Sequence, residues 1–157
     1  MIKEILLLGN PKLFEVSDPV VEEELDFIRS TVNDMHDTLL EYRRIHSAGR
    51  AIAAPQIGVR KRLLYMCIDK PVVFINPTLK FCDEELMEVM DDCMSFPGLR
   101  VKVLRHKRCV IDYLDMDFIK RELRLEGDLS ELLQHEYDHL DGILATMRAL
   151  DNKSLYY

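Results

Sequence analysis

The chain has 157 residues, of which 48% are hydrophobic and 31% are charged. A chain of this length and composition can bury a hydrophobic core without cross-links, which argues against general disorder. Its net charge of −7 argues against a protein that mainly binds nucleic-acid phosphates or anionic lipid, because such proteins carry a basic surface. We therefore expect one acidic domain over residues 1–157.

The four cysteines indicate a reducing compartment. Cys67, Cys82, Cys93 and Cys109 include no CxxC pair, and a chain of this size does not need disulfides. The sequence shows neither a secretory signal nor a run of about 20 apolar residues. These features predict a cytoplasmic protein, in which Cys67 and Cys109 lie in apolar segments and are expected core residues.

The predicted elements begin with a short strand or extended arm over residues 2–8. A helix follows from Glu22 to about His46, with Gly49 as its stop. Apolar residues in this helix recur at steps of three and four and form one stripe. Predicted strands follow, separated by turn residues, and the turn at Asp115 joins the last two as a hairpin. Those strands cover residues 63–68, 72–75, 86–90, 101–104, 109–114 and 119–125.

A second helix is predicted to begin at Asp128, where Glu131 completes a capping-box pattern, and to end at Gly142. The order of helix, strands and helix predicts an α+β fold. In that fold, antiparallel or mixed sheets pack around the second helix, with the N-terminal helix beside them.

The second helix carries an HExxH motif, from His135 to His139. Histidines four residues apart lie on one helix face, so both rings can reach one metal ion, and Glu136 can accept a proton from water there. A catalytic zinc or iron site usually needs a third protein ligand. Ala145 stands where a metzincin would have its third histidine, and no glutamate follows Glu136. Cys93 is the strongest upstream candidate, because a thiolate binds Fe²⁺ or Zn²⁺ well.

Three segments resemble the motifs of the peptide deformylases, GxGLAAxQ, EGCLS and HExxH. The corresponding segments are GRAIAAPQ at 49–56, DDCMS at 91–95 and QHEYDH at 134–139. The resemblance implies a deformylase-like catalytic domain that removes the N-formyl group from formyl-methionyl peptides and nascent proteins and releases formate. Two alternatives stay open. One is a hydrolase of another N-formyl or amide substrate, and the other is a metal-containing peptide-binding module without catalysis.

The resemblance also implies residue roles. The implied ligands of one divalent ion are Cys93, His135 and His139. The ion would be Fe²⁺ in the cell, and Zn²⁺ or Ni²⁺ could occupy the site as purified. Glu136 would be the general base, and the Gln56 side chain and the Met94 backbone N–H would stabilise the oxyanion.

Expected substrate contacts are Gly49, Ala51, Ile52, Asp92 and Arg100. Within this set the chain departs from the family pattern, because Ala51 and Asp92 stand where the family has glycines. Asp91 likewise replaces a glutamate. Arg105 either pairs with Asp91 or is a plain surface arginine. Asp138 either orients a ligand histidine or is a solvated helix carboxylate.

The expected partner is an N-formyl peptide or a nascent chain. Nucleic acid and membranes are not expected as partners. The protein is expected to be a monomer. Because the chain ends at Tyr157 soon after the second helix, contact with the ribosome stays open.

Overall fold

The structure is a computed structural model that describes all of residues 1–157. Its two long helices are α1 (Leu25–His46) and α2 (Asp128–Leu140). Eight strands complete the fold: β1 (Ala51–Ala53), β2 (Leu63–Cys67), β3 (Pro71–Lys80), β4 (Leu86–Asp91), β5 (Arg100–His106), β6 (Arg108–Leu114), β7 (Lys120–Glu126) and β8 (Leu155–Tyr156). Short 3₁₀ turns connect several of them.

The strands form two sheets. Five strands make one sheet in the order β1-β2-β3-β6-β7, and three make the other in the order β4-β5-β8. Every pairing between named strands is antiparallel. The predicted hairpin at Asp115 joins β6 and β7. The α+β prediction is confirmed.

Helix α1 packs its apolar stripe on one face of β1 and β2. Ile28, Met35 and Leu39 are fully buried there. The helix ends when Ser47 adopts a left-handed backbone (φ 54°) and its N–H bonds to the carbonyl of Arg43. The predicted stop at Gly49 was therefore two residues late.

Helix α2 is enclosed by the fold, since nine of its thirteen residues are buried. Leu133 and Leu140 are fully buried and pack against the five-stranded sheet. The predicted capping box is wrong. Gly127 is the N-cap and Asp128 is already helical, while the Glu131 carboxylate contacts Arg50 instead.

An extended arm precedes α1, as predicted, and it contacts two of the segments singled out in the sequence. The N–H of Leu6 donates to the carbonyl of Gln56, and the N–H of Leu8 donates to the carbonyl of Ser95, both at 2.8 Å. The arm therefore holds the backbone at Gln56 and at Ser95, two residues after Cys93.

All four cysteines are free thiols. Cys109 is buried, as predicted, whereas Cys67 is only partly buried and Cys82 is exposed. Neither long helix is apolar enough over sufficient length to cross a bilayer.

Candidate metal centre

Three donor side chains converge where the turn after β4 meets α2. One ligand atom from each of Cys93, His135 and His139 lies within 4.8 Å of the other two, and all three residues are buried. Cys93 Sγ is 3.4 Å from His139 Nε2. Nε2 of His135 is buried without a hydrogen-bond partner. A thiolate and two imidazoles are donors that Zn²⁺ and Fe²⁺ accept, so these residues fit one divalent ion.

Asp91 orients the first histidine of this set. Its Oδ2 lies 3.1 Å from His135 Nδ1 and accepts hydrogen bonds from Arg105 Nε at 3.2 Å and Nη2 at 2.6 Å. Burial alone raises the pKa of the Asp91 carboxyl, but His135 and Arg105 outweigh it and hold that pKa well below its usual range. Since Nδ1 is engaged by Asp91, Nε2 is the atom of His135 left to bind an ion.

Asp138 pairs with two arginines, Arg105 and Arg148. It makes no hydrogen bond to His135 or His139. Its carboxylate accepts from Arg105 Nη1 at 2.7 Å and from Arg148 Nε and Nη2 at 2.6 and 3.0 Å. Asp138 is only 7% exposed, so it is not a solvated residue either. Arg105 is buried between Asp91 and Asp138, which agrees with the predicted pair to Asp91.

Glu136 lies beside the three donors and lines the adjoining cleft. Its Oε2 is buried and has no hydrogen-bond partner. Burial raises the pKa of the Glu136 carboxyl to about 7, against the opposing effect of His135. A carboxylate whose pKa is near neutrality can both accept and return a proton.

Two N–H donors, one from Gln56 and one from Met94, lie beside Cys93. Gln56 Nε2 is 3.5 Å from Cys93 Sγ and 3.1 Å from Ser95 Oγ, and its Oε1 accepts the Ala53 N–H at 2.9 Å. That last bond fixes which end of the amide points at the thiol. The backbone N–H of Met94 donates to no group of the protein. The Met94 N–H is thus free to donate to a ligand oxygen, whereas Gln56 Nε2 would exchange its contact with Cys93 or Ser95 for one.

A cleft of about 340 Å³ opens onto the centre. It is lined by Tyr42, Ser47, Ala48, Gly49, Arg50, Ala51, Asp92, Cys93, Met94, Leu132 and Glu136. Three of the five expected substrate contacts, Gly49, Ala51 and Asp92, are among them.

Ile52 and Arg100 do not line this cleft. Successive side chains of a strand point to opposite faces, so Ile52 turns away from Ala51 and is fully buried against α1. On β5 the buried positions include Val101 and Val103, and Arg100 therefore faces solvent.

Sequence reasoning missed the polar part of the cleft. Nη2 of Arg50 lies 3.3 Å from Oε1 of Glu131, whose side chain is 16% exposed. Burial and the neighbouring Asp91 raise the pKa of Glu131 to about 8, against the effect of Arg50. The available signal was spacing, because Glu131 precedes His135 by one helical turn and so lies on the face that carries the ligands.

Cys93, His135 and His139 can hold one ion, and the buried Glu136 lies in α2 beside the two histidines. This combination on an α+β fold defines the class of HExxH metal-dependent hydrolases. The comparisons with known proteins narrow this class. A family model described as polypeptide deformylase matches residues 2–154, and the chain belongs to that family.

Relatives agree in sequence and in structure. Peptide deformylase 1 of Prochlorococcus marinus is 36% identical, over 98% of this chain and 83% of its own. The crystal structure of the Thermotoga maritima peptide deformylase superposes with a TM-score of 0.87 at 31% identity, covering 96% of this chain and 99% of that one.

A Met-Ala-Ser-bound class I type b peptide deformylase from Acinetobacter baumannii gives a TM-score of 0.86 at 27% identity, over 94% of this chain and 98% of that one. The predicted family, fold and deformylase activity are confirmed, and neither alternative function is favoured.

Proposed function

We propose that this cleft hydrolyses the formamide bond of N-formyl-methionyl chains, with one divalent ion held by Cys93, His135 and His139. The observation that carries the proposal is the convergence of these three buried donors beside Glu136. The Acinetobacter baumannii relative with Met-Ala-Ser bound supports a peptide occupant for the cleft.

The ion, when bound, lowers the pKa of water and polarises a carbonyl oxygen. We propose Fe²⁺ as the ion used in the cell, and Zn²⁺ or Ni²⁺ as replacements in purified protein. The mixed donor set of one sulfur and two nitrogens supports this choice, because it suits these ions better than Mg²⁺ or Ca²⁺.

The protein's own groups handle the proton and the developing charge. Glu136 accepts a proton from the attacking water and gives it to the departing amine, so that water and the formamide become formate and a free amine. As the carbonyl carbon becomes tetrahedral, Gln56 Nε2 and the Met94 N–H donate to its oxygen. Donors held in advance, as Gln56 is by Ala53, need little reorganisation for this step.

The sheet edge provides a place for the peptide backbone. Strand β1 is an edge strand that pairs only with β2, and Ala51 on that strand lines the cleft. An edge strand offers unpaired N–H and C=O groups, to which an extended peptide can add as a further strand. This arrangement would fix the chain direction relative to the centre.

We further propose that residues 1–157 form one catalytic domain that acts as a cytoplasmic monomer in N-terminal processing of newly made proteins. Neither nucleic acid nor a membrane is a partner in this function, because the net charge is −7 and such partners favour a basic surface.

The test is formate release from formyl-Met-Ala-Ser by iron-loaded protein kept anaerobic. Wild type should release one formate per free amine, and Glu136→Gln should lose roughly 100-fold or more of kcat while its metal content stays the same. An inactive wild type with a full complement of metal would overturn the proposal. So would a Glu136→Gln variant with wild-type kcat.

A further inference from the structure

The Arg50–Glu131 pair gives the cleft a charged wall next to the metal centre. Glu131 lies one helical turn before His135 on the same face of α2, a rise of about 5.4 Å. Arg50 Nη2 is 3.3 Å from Glu131 and lines the cleft together with Cys93 and Glu136. The guanidinium is therefore close to where the scissile formamide would lie.

The first side chain of a formyl peptide would lie within reach of this guanidinium. With the formyl carbon at the ion, the Cα of the first residue is only two bonds away, so its side chain would be held in the part of the cleft next to the centre. Leu132 lines the cleft one residue beyond Glu131. That first side chain therefore meets both an apolar surface and an arginine.

Arg50 has donors to spare. A guanidinium carries five N–H groups, and Arg50 uses one, toward Glu131, while its side chain stays 41% exposed. An apolar side chain placed against it would cover N–H groups without supplying acceptors, which is unfavourable. An oxygen acceptor on the substrate would satisfy them.

The charges of the cleft favour a neutral acceptor. Asp92 is exposed and lines the same cleft, as does Glu136, so a substrate carboxylate would face two acidic groups. A sulfoxide or amide oxygen accepts hydrogen bonds from arginine without that repulsion. Methionine sulfoxide keeps the shape of methionine and arises from it by oxidation.

We propose that Arg50, held by Glu131, determines specificity at the first side chain and makes the cleft accept N-formyl peptides that carry a neutral oxygen acceptor there, in addition to formyl-methionyl peptides. Formyl-methionine sulfoxide and formyl-glutamine are members of this substrate class. The inference rests on the proposed deformylase function.

The test compares kcat/KM for formyl-norleucyl, formyl-methionine-sulfoxide, formyl-glutaminyl and formyl-glutamyl peptides that are otherwise identical. Norleucine is the apolar match for methionine. Wild type should hydrolyse the sulfoxide and glutaminyl peptides within tenfold of norleucyl, and the glutamyl peptide more slowly. In Arg50→Leu the sulfoxide-to-norleucyl ratio should fall by roughly tenfold to hundredfold, because a hydrogen bond to a charged donor is lost.

Arg60→Leu is the matched control, since Arg60 is an exposed arginine outside the cleft; it should leave the ratio as in wild type. A wild type that rejects the sulfoxide and glutaminyl peptides by more than 100-fold overturns the proposal, whatever the variants do. An unchanged ratio in Arg50→Leu overturns it as well. Failure of the underlying function looks different, because then no formyl peptide, norleucyl or methionyl, releases formate.

Discussion

Asp91 and His135 meet through a 3.1 Å contact between Oδ2 and Nδ1, and the same oxygen also accepts two hydrogen bonds from Arg105. One short carboxylate thus sets the orientation of a metal ligand and balances a buried arginine. Aspartate is one methylene shorter than the glutamate of the family motif. Asp91 nevertheless reaches both His135 and Arg105.

Replacing Asp91 with asparagine should weaken the metal site and the fold together. Loss of an outer carboxylate commonly costs 10- to 100-fold in metal affinity. The fold should also lose stability, but less than the about 3–5 kcal/mol of a buried charge left without a partner, because Asp138 still pairs with Arg105. Chelator competition measures the first effect and urea unfolding the second. Asp92→Asn is the control, because Asp92 is exposed and should change neither measurement; if both variants behaved alike, Asp91 would have no special role.

Gly142 should not tolerate a side chain. Its φ is +71°, and an added Cβ would lie 2.4 Å from the carbonyl oxygen of Phe14. In Gly142→Ala the backbone strain of about 1–2 kcal/mol adds to an overpacking cost of about 1–3 kcal/mol. Gly58→Ala is matched in φ (+84°) but has open space around the new Cβ. Urea unfolding should therefore show a clearly larger loss for Gly142→Ala, and equal losses would contradict the close approach to Phe14.

Leu133 should account for much of the attachment of α2 to the large sheet. It is fully buried among residues of β1, β2, β3 and β6. Leu133→Ala should lower the free energy of unfolding by about 2–5 kcal/mol, because it removes buried apolar contacts and leaves a cavity. Leu129→Ala, on the same helix but only partly buried, should cost less. Chemical denaturation measures the loss of unfolding free energy in each variant. A smaller loss for Leu133→Ala than for Leu129→Ala would contradict the prediction.

Glu131 should make stability fall as the pH rises. Its pKa is raised from 4.5 to about 8 in the folded protein, so above pH 4.5 the unfolded chain ionises first and is favoured. This loss accumulates up to about pH 8 and then levels off, with a slope of at most about 1.4 kcal/mol per pH unit. Glu131→Gln imitates the protonated form and removes the contribution of Glu131 to the slope, while that of Glu136 remains.

Urea unfolding from pH 5 to pH 9 measures this effect. Wild type should lose stability relative to Glu131→Gln as the pH rises, whereas Glu23→Gln, at an exposed position, should follow wild type. Parallel curves for wild type and Glu131→Gln would show that the raised pKa does not contribute to folding.

The cluster of Cys93, His135 and His139 could be predicted from the sequence because its signals are local. The two histidines share a helix face through their spacing, and Cys93 lies in a short motif at the end of a predicted strand. The long helix also followed from periodicity, and most strands followed from short runs separated by turn residues. Strands β1 and β8 were missed because they have three and two residues, too few to show alternation.

The polar wall of the cleft could not be predicted in the same way. An acidic residue in the first turn of a helix usually indicates capping, and Glu131 fits that pattern locally. Its actual partner, Arg50, is 81 residues away in the chain. The role of Asp138 is likewise decided by Arg105 and Arg148, which reach it from a strand and from a turn after α2. Contacts of this kind depend on the tertiary fold.

The distance along the chain between the donors also links metal uptake to folding. Cys93 and His139 are 46 residues apart in sequence and 3.4 Å apart in space, so no fragment of the unfolded chain presents the complete set. An ion that binds only the folded state adds to stability as its free concentration rises, by about 2.7 kcal/mol at 100 times its dissociation constant. The amount of folded protein in a cell would then follow the supply of the metal as well as the rate of synthesis.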